Sequence, residues 1–139
     1  SGIVSGAAAA EQWGVPTRAV DFFDLKGDVE ATLARGGAST FEYRAAQHPA
    51  LHPGQCAEIV RDDRVVGRLG LLHPDVERQL DLTGPVLMFE LNVDELGQGT
   101  LPAFAPLSKF PSIRRDLAIV VDRVLSFARV RDCVRRAAG

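Results

Sequence analysis

The sequence predicts an α+β fold, a mainly antiparallel sheet with flanking helices. Three observations carry this. Leu51–His73 reads as one β-hairpin, with Cys56–Val60 as the outgoing strand, Arg61-Asp62-Asp63-Arg64 as the charged connection and Val65–Leu72 as the return. Val86–Val93 is strand material with apolar residues on both faces, Leu87, Phe89 and Leu91 on one and Val86 and Met88 with Glu90 and Asn92 on the other. That pattern marks a central strand. Leu25, Val29 and Leu33 recur at i, i+4 and i+8, a narrow apolar stripe for a helix that lies on a sheet.

The elements follow in order. Ile3-Val4 is a short apolar pair ending a strand before Gly6, and Ala7–Arg18 reads as loop or weak helix anchored by Trp13. Asp24 caps a helix over Leu25–Ala34, which Gly36-Gly37 stops. Ser39–Ala46 alternates as a strand, with Phe41, Tyr43 and Ala45 opposite Glu42 and Arg44. The three histidines, His48, His52 and His73, each precede a proline. That position pushes them to extended or turn geometry, so they punctuate strand ends. Pro74 opens a short helix over Asp75–Leu80 with Val76 and Leu80 inward, and Thr83-Gly84-Pro85 is a turn. Gly97–Pro106 has two glycines, two prolines and no period, and reads as the domain boundary. Asp116–Asp122 predicts a further strand. Ser126 caps a final helix over Phe127–Ala138, with Phe127, Val130, Cys133, Val134 and Ala137 on its apolar side. A lone strand and helix cannot bury both faces, so Arg123–Gly139 is expected to be poorly ordered or to swap with a second copy.

Length and composition set bounds. At 139 residues and 46% apolar content, one domain, or one domain and a piece of another, is expected. A net charge of −2 gives no general pull toward nucleic acid. From Lys109 onward, however, eight basic residues face three acids, so any anionic partner would meet the tail. Cys56 and Cys133 make no disulfide framework, which fits a reduced, cytoplasmic setting. No apolar stretch is long enough to span a bilayer, and Ala7–Ala10 lacks the basic flank and apolar core of a signal peptide.

Candidate chemistry is thin. His48 and His52 have zinc-pair spacing, but Pro49 and Pro53 disfavour the helix that spacing needs. His73 beside Asp75 or Glu77 could mimic a base and its orienter, yet Pro74 makes it a turn. Cys56 follows His52 by four residues without a third member, and reads as a buried thiol. Gly67-Arg68-Leu69-Gly70 is a weak glycine motif; strand glycines more often mark close backbone approach or a bulge. The acids Asp21, Asp24, Asp28 and Glu30 around Lys26 are explained by capping and the helix dipole. Lys109, Phe110, Arg114 and Arg115 place cations and an aromatic before a strand, where they could contact an RNA backbone and stack a base. Pairing of one arginine with Asp116 or Asp122 is the plainer alternative.

Val20-Asp21-Phe22-Phe23-Asp24-Leu25-Lys26-Gly27-Asp28-Val29-Glu30, the hairpin from Leu51 to Pro74, and Pro111-Ser112-Ile113-Arg114-Arg115-Asp116-Leu117-Ala118-Ile119-Val120-Val121 keep an order and spacing of their own. Together they resemble the C-terminal part of the bacterial phenylalanyl-tRNA synthetase β-subunit family, over essentially the whole chain. The resemblance implies a class II synthetase-like but non-catalytic scaffold over 1–100, a linker over 101–112, and over 113–139 an incomplete βα start of a ferredoxin-fold anticodon-binding domain. It implies a subunit-interface and tRNA-contacting role within phenylalanine–tRNA ligase, an α2β2 complex in the cytoplasm that charges tRNA(Phe) at the expense of ATP. ATP and magnesium are implied for the parent complex and no cofactor or metal for this stretch; an editing site would lie upstream of residue 1. Phe41-Glu42-Tyr43-Arg44-Ala45-Ala46 lacks the glutamate two residues after its arginine that class II chemistry needs, so no catalytic residue is assigned. A small hydrolase using His52, Cys56 or His73, and a stand-alone RNA-binding module, remain the other two classes.

Overall fold

Five strands form a single antiparallel sheet in the computed structural model, which describes residues 1–36, 40–96, 104, 109, 113–114 and 116–138. The strands are β1 (Gly2–Ser5), β2 (Glu42–Ala45), β3 (Leu51–Arg61), β4 (Arg64–Leu72) and β5 (Val86–Leu91). Their spatial order is β1-β5-β4-β3-β2. Two helices, α1 (Phe22–Ala34) and α2 (Pro74–Gln79), and a 3₁₀ turn over Val93–Leu96 complete the first of two compact units, Ser1–Phe104. The second, Ala105–Gly139, holds α3 (Phe127–Ala138). The fold is α+β, as expected, and Val86–Leu91 lies inside the sheet. The expected 101–112 linker falls almost wholly outside the described residues.

The hairpin is the backbone of the first unit. Arg61 pairs with Arg64, leaving a two-residue turn in which Asp62 (φ 48°) and Asp63 (φ 60°) are both left-handed. Such a turn matches the sheet's twist, and aspartate tolerates the conformation. The outgoing strand is longer than the sequence indicates, because it resumes at Leu51 beyond a register shift around Pro53-Gly54. A second shift leaves Val66 as an extra residue on β4. Val66 is buried, and its carbonyl accepts from the Asn92 N–H at 2.8 Å. The strand glycines mark close approach: a Cβ on Gly67 would stand 2.4 Å from the Glu90 carbonyl oxygen, and one on Gly70 2.5 Å from that of Gln55.

The main cluster lies between α1 and the sheet, while Cys56, Val60, Leu51 and Leu72 are buried outside it. Leu25, Val29 and Leu33 of α1 are buried against Ala57, Ile59, Val66, Leu69 and Leu87, with Phe41, Tyr43 and Phe89 packed around them. The helix starts earlier than expected. Asp21, not Asp24, is the N-cap: its carboxylate accepts from the N–H groups of Phe23 (2.8 Å) and Asp24 (3.1 Å). Asp24 sits at N3 and accepts back from the Asp21 N–H at 2.8 Å, closing a capping box.

Four further expectations are corrected. The strand Ser39–Ala46 shortens to Glu42–Ala45, and Ala45 is exposed rather than inward. Leu80 of the α2 end is 61% exposed while Val76 is half-buried, because six residues give too few turns to aim both at the sheet. Trp13 anchors nothing: it is fully exposed. Residues 116–122 form no strand; among the described residues no ladder partner faces them, and Leu117, Ile119, Val120 and Val121 are exposed. The final helix forms where expected, with Phe127, Cys133 and Val134 exposed along its apolar side.

Truncating a fully buried leucine under α1 removes packing on both helix and sheet. Leu25→Ala is expected to lower unfolding free energy by about 2–5 kcal/mol and Leu80→Ala by no more than about 0.5 kcal/mol. Urea denaturation followed by circular dichroism checks the contrast.

Candidate interaction surfaces

On the sheet face away from α1 a row of charges crosses the strands, beside the buried Cys56 and Val60 of β3. Arg44 on β2 pairs with Glu58 on β3, Glu58 with Arg68 on β4, and Arg68 with Glu90 on β5. Charges therefore alternate across four strands, the arrangement that favours neighbours directly opposite. Arg68 Nε lies 3.5 Å from Glu58 Oε1. Arg44 Nη2 turns instead to Glu42 and Asp63, at 2.9 Å each. Both arginines are thus committed to carboxylates. A nucleotide phosphate at either arginine would have to displace those partners.

The histidines share one local geometry. His48 Nδ1 accepts from the Ala50 N–H at 3.2 Å, His52 Nδ1 from Gly54 at 3.0 Å, and His73 Nδ1 from Asp75 at 3.2 Å. Each imidazole acts as the side-chain acceptor of a His-Pro-X turn, and His73 is also the N-cap of α2. In each, Nδ1 is engaged by the backbone N–H two residues on, so the ring serves its own turn. Among the described residues no three His, Cys, Asp or Glu side chains converge as a metal site. Cys56 is buried and its thiol is pushed up by that burial, against a smaller opposing pull from Arg68. Burial thus disfavours the thiolate that a nucleophilic cysteine would need.

The acids around Lys26 are structural. Arg18 donates twice to Asp24, at 2.6 and 2.7 Å. Arg18, reinforced by the Asp21 N–H, holds the Asp24 carboxyl down at about 2. Lys26 Nζ sits 4.4 Å from the centre of the Tyr43 ring. The Tyr43 hydroxyl is buried without a partner among the described residues, and burial with the nearby Glu30 charge pushes it up to about 12. No sequence pattern marked Arg18 or Tyr43, because each acts through partners brought together by the fold.

Of the four residues proposed for RNA, Lys109 and Arg114 are exposed, while Phe110 and Arg115 lie outside the described residues. Within the second unit, Ile119, Val121 and Leu125 border one concavity with Val130, Cys133 and Val134 of α3.

The first unit is thus an antiparallel sheet with α1 packed on one face and a row of paired charges across the other. The comparisons specify it further. Residues 1–93 match the family model described as the phenylalanyl tRNA synthetase beta chain CLM domain, and the chain belongs to that family. It is 52% identical over 139 residues to the phenylalanine–tRNA ligase beta subunit of Methylococcus capsulatus, covering 100% of this chain and 18% of that one. It is 50% identical over 137 residues to that of Nitrosococcus oceani (97% and 17%), and 49% over 140 residues to that of Pseudomonas syringae pv. tomato (100% and 18%). The chain thus spans less than a fifth of the length of these curated relatives.

Two predictions follow from these local geometries. Folding lowers Asp24 from an ordinary 3.8 to about 2, so its contribution is whole above about 4 and disappears as the pH falls through about 2. The thermal midpoint should fall across that window, and Asp24→Asn should flatten the fall; equal slopes would contradict the Arg18 clamp. His73→Ala should cost about 1 kcal/mol through loss of the cap, and His73→Asn should restore most of it, read from urea midpoints.

Proposed function

We propose that this chain is a structural and subunit-interface module of phenylalanine–tRNA ligase, the complex that attaches phenylalanine to tRNA(Phe) in translation. The observation that carries the reading is identity near 50% to beta subunits across both units of the chain, not only across the matched 1–93. On this reading Ser1 to about Thr100 is a class II synthetase-like scaffold in the C-terminal part of the β subunit. The catalytic α subunit supplies the ATP, magnesium and amino-acid sites of a cytoplasmic α2β2 assembly. Residues 113–139 belong to the start of a ferredoxin-fold anticodon-binding domain, and Lys109, Phe110, Arg114 and Arg115 are the residues proposed to contact the tRNA. The exposed apolar side chains of 117–134 support the reading that this second unit packs against more protein than it carries here. The committed arginines of the open sheet face support a module without its own nucleotide site.

The test is light scattering on a sizing column, with this chain alone and mixed with the catalytic subunit of the same organism. A defined mixed complex is expected, and two species that elute independently would overturn the interface role. In the assembled ligase, Arg114→Ala/Arg115→Ala is expected to weaken tRNA binding roughly tenfold and to lower the salt slope by about one to two. Unchanged affinity and slope would remove the RNA assignment.

A further inference from the structure

α3 divides lengthwise into an apolar half and a cationic half. At 3.6 residues per turn, Phe127, Val130, Cys133, Val134 and Ala137 share one side. Arg131 and Arg135 lie one turn apart, Arg129 and Arg136 two turns apart, and all four fall on the remaining side with Asp132. Among the described residues, the arginine of the four that is ion-paired is Arg131, to Asp132 at 3.1 Å. Arg136 Nε donates to the Asp132 carbonyl at 3.3 Å. Arg129, Arg135 and Arg136 are exposed, so three guanidinium charges stand in solvent along one half of the helix.

The two halves call for different partners. The apolar half suits more protein. The cationic half does not, because burying a guanidinium against protein is costly unless each charge meets its own carboxylate. Protein that covers the first half therefore leaves the second facing outward. A polyanion offers acceptors in a continuous row, and the planar fork of arginine matches phosphate oxygens two at a time. Every basic residue of α3 is arginine. The charge of the whole chain sharpens the assignment. Residues 1–108 carry eight bases against fifteen acids, and residues 109–139 eight against three. The chain before Lys109 repels a phosphate backbone, so attraction falls to the tail. We propose that Arg129, Arg135 and Arg136 of α3 contact the phosphate backbone of tRNA and supply affinity that does not depend on base sequence. The inference rests on the reading given under Proposed function, where tRNA is the polyanion the ligase holds, and extends the contact from the residues before 116 to α3.

The experiment measures binding of tRNA(Phe) to the assembled ligase across a range of salt, with Arg129→Gln/Arg135→Gln/Arg136→Gln and the matching triple lysine variant. Glutamine keeps the helix propensity while removing the charge. Expected in the glutamine variant are an affinity lowered about tenfold or more, a salt slope lower by about two to three, and the same fold-loss for a tRNA of another specificity. The lysine variant should keep most of the affinity and slope. Unchanged affinity and slope in the glutamine variant, while Arg114→Ala/Arg115→Ala still weakens binding, would overturn this inference and leave the function intact. No effect of either set would remove the RNA assignment of the tail, and the inference with it. A loss confined to tRNA(Phe), or one as severe with lysine as with glutamine, would overturn the backbone role. A glutamine variant that binds tRNA normally but no longer assembles with the catalytic subunit in light scattering would assign the arginines to a protein partner and overturn the proposal equally.

Discussion

Everything in the first unit depends on the seating of one helix on one face of the sheet. Among the described residues, Leu25, Val29 and Leu33 are the helical members of the buried cluster, and they meet side chains from β3, β4 and β5. Burying side chains of this size contributes roughly 1.5–3 kcal/mol each, far more than any exposed ion pair of the opposite face. The entry to α1 is correspondingly secured. The Asp21–Asp24 capping box, clamped by Arg18, fixes where the helix begins and so which residues its stripe presents.

With α1 on one side, the other face carries the alternating Arg44–Glu58–Arg68–Glu90 row, whose members satisfy one another or close neighbours, alongside the buried Cys56 and Val60. The His-Pro turns serve the sheet end in the same way, each imidazole replacing a backbone acceptor. The second unit lacks an equivalent of this arrangement among its described residues: α3 exposes the apolar side that α1 buries.

The parts legible in sequence were those set by periodicity and local chemistry. The Leu25/Val29/Leu33 stripe, the Arg61–Arg64 turn, the Pro74 helix start and the interior character of Val86–Leu91 all follow from spacing or from a proline. What failed depended on partners distant in the chain. Asp116–Asp122 has the composition of a strand, but a strand exists only where another pairs with it, and propensity does not reveal that. Trp13 is expected inside because a large aromatic is ordinarily buried, and nothing in Glu11-Gln12-Trp13-Gly14 signals that it stands in solvent. Asp21 and Asp24 are both good caps three residues apart, and which one leads is decided by Arg18. The histidines were read as turn residues, and the geometry adds the reason: each Nδ1 is occupied by a backbone N–H.

Residues 1–96 carry a buried core of their own, and the proposed role assigns their surface to partners. Amide hydrogen exchange on the chain, alone and with the catalytic subunit, tests it most directly. The account predicts slow exchange throughout β3, β4, β5 and α1 in the free chain, fast exchange in α3, and new protection confined to surface segments when the subunit is added. Exchange in β4 and β5 as fast as in α3, or no added protection anywhere, would contradict it.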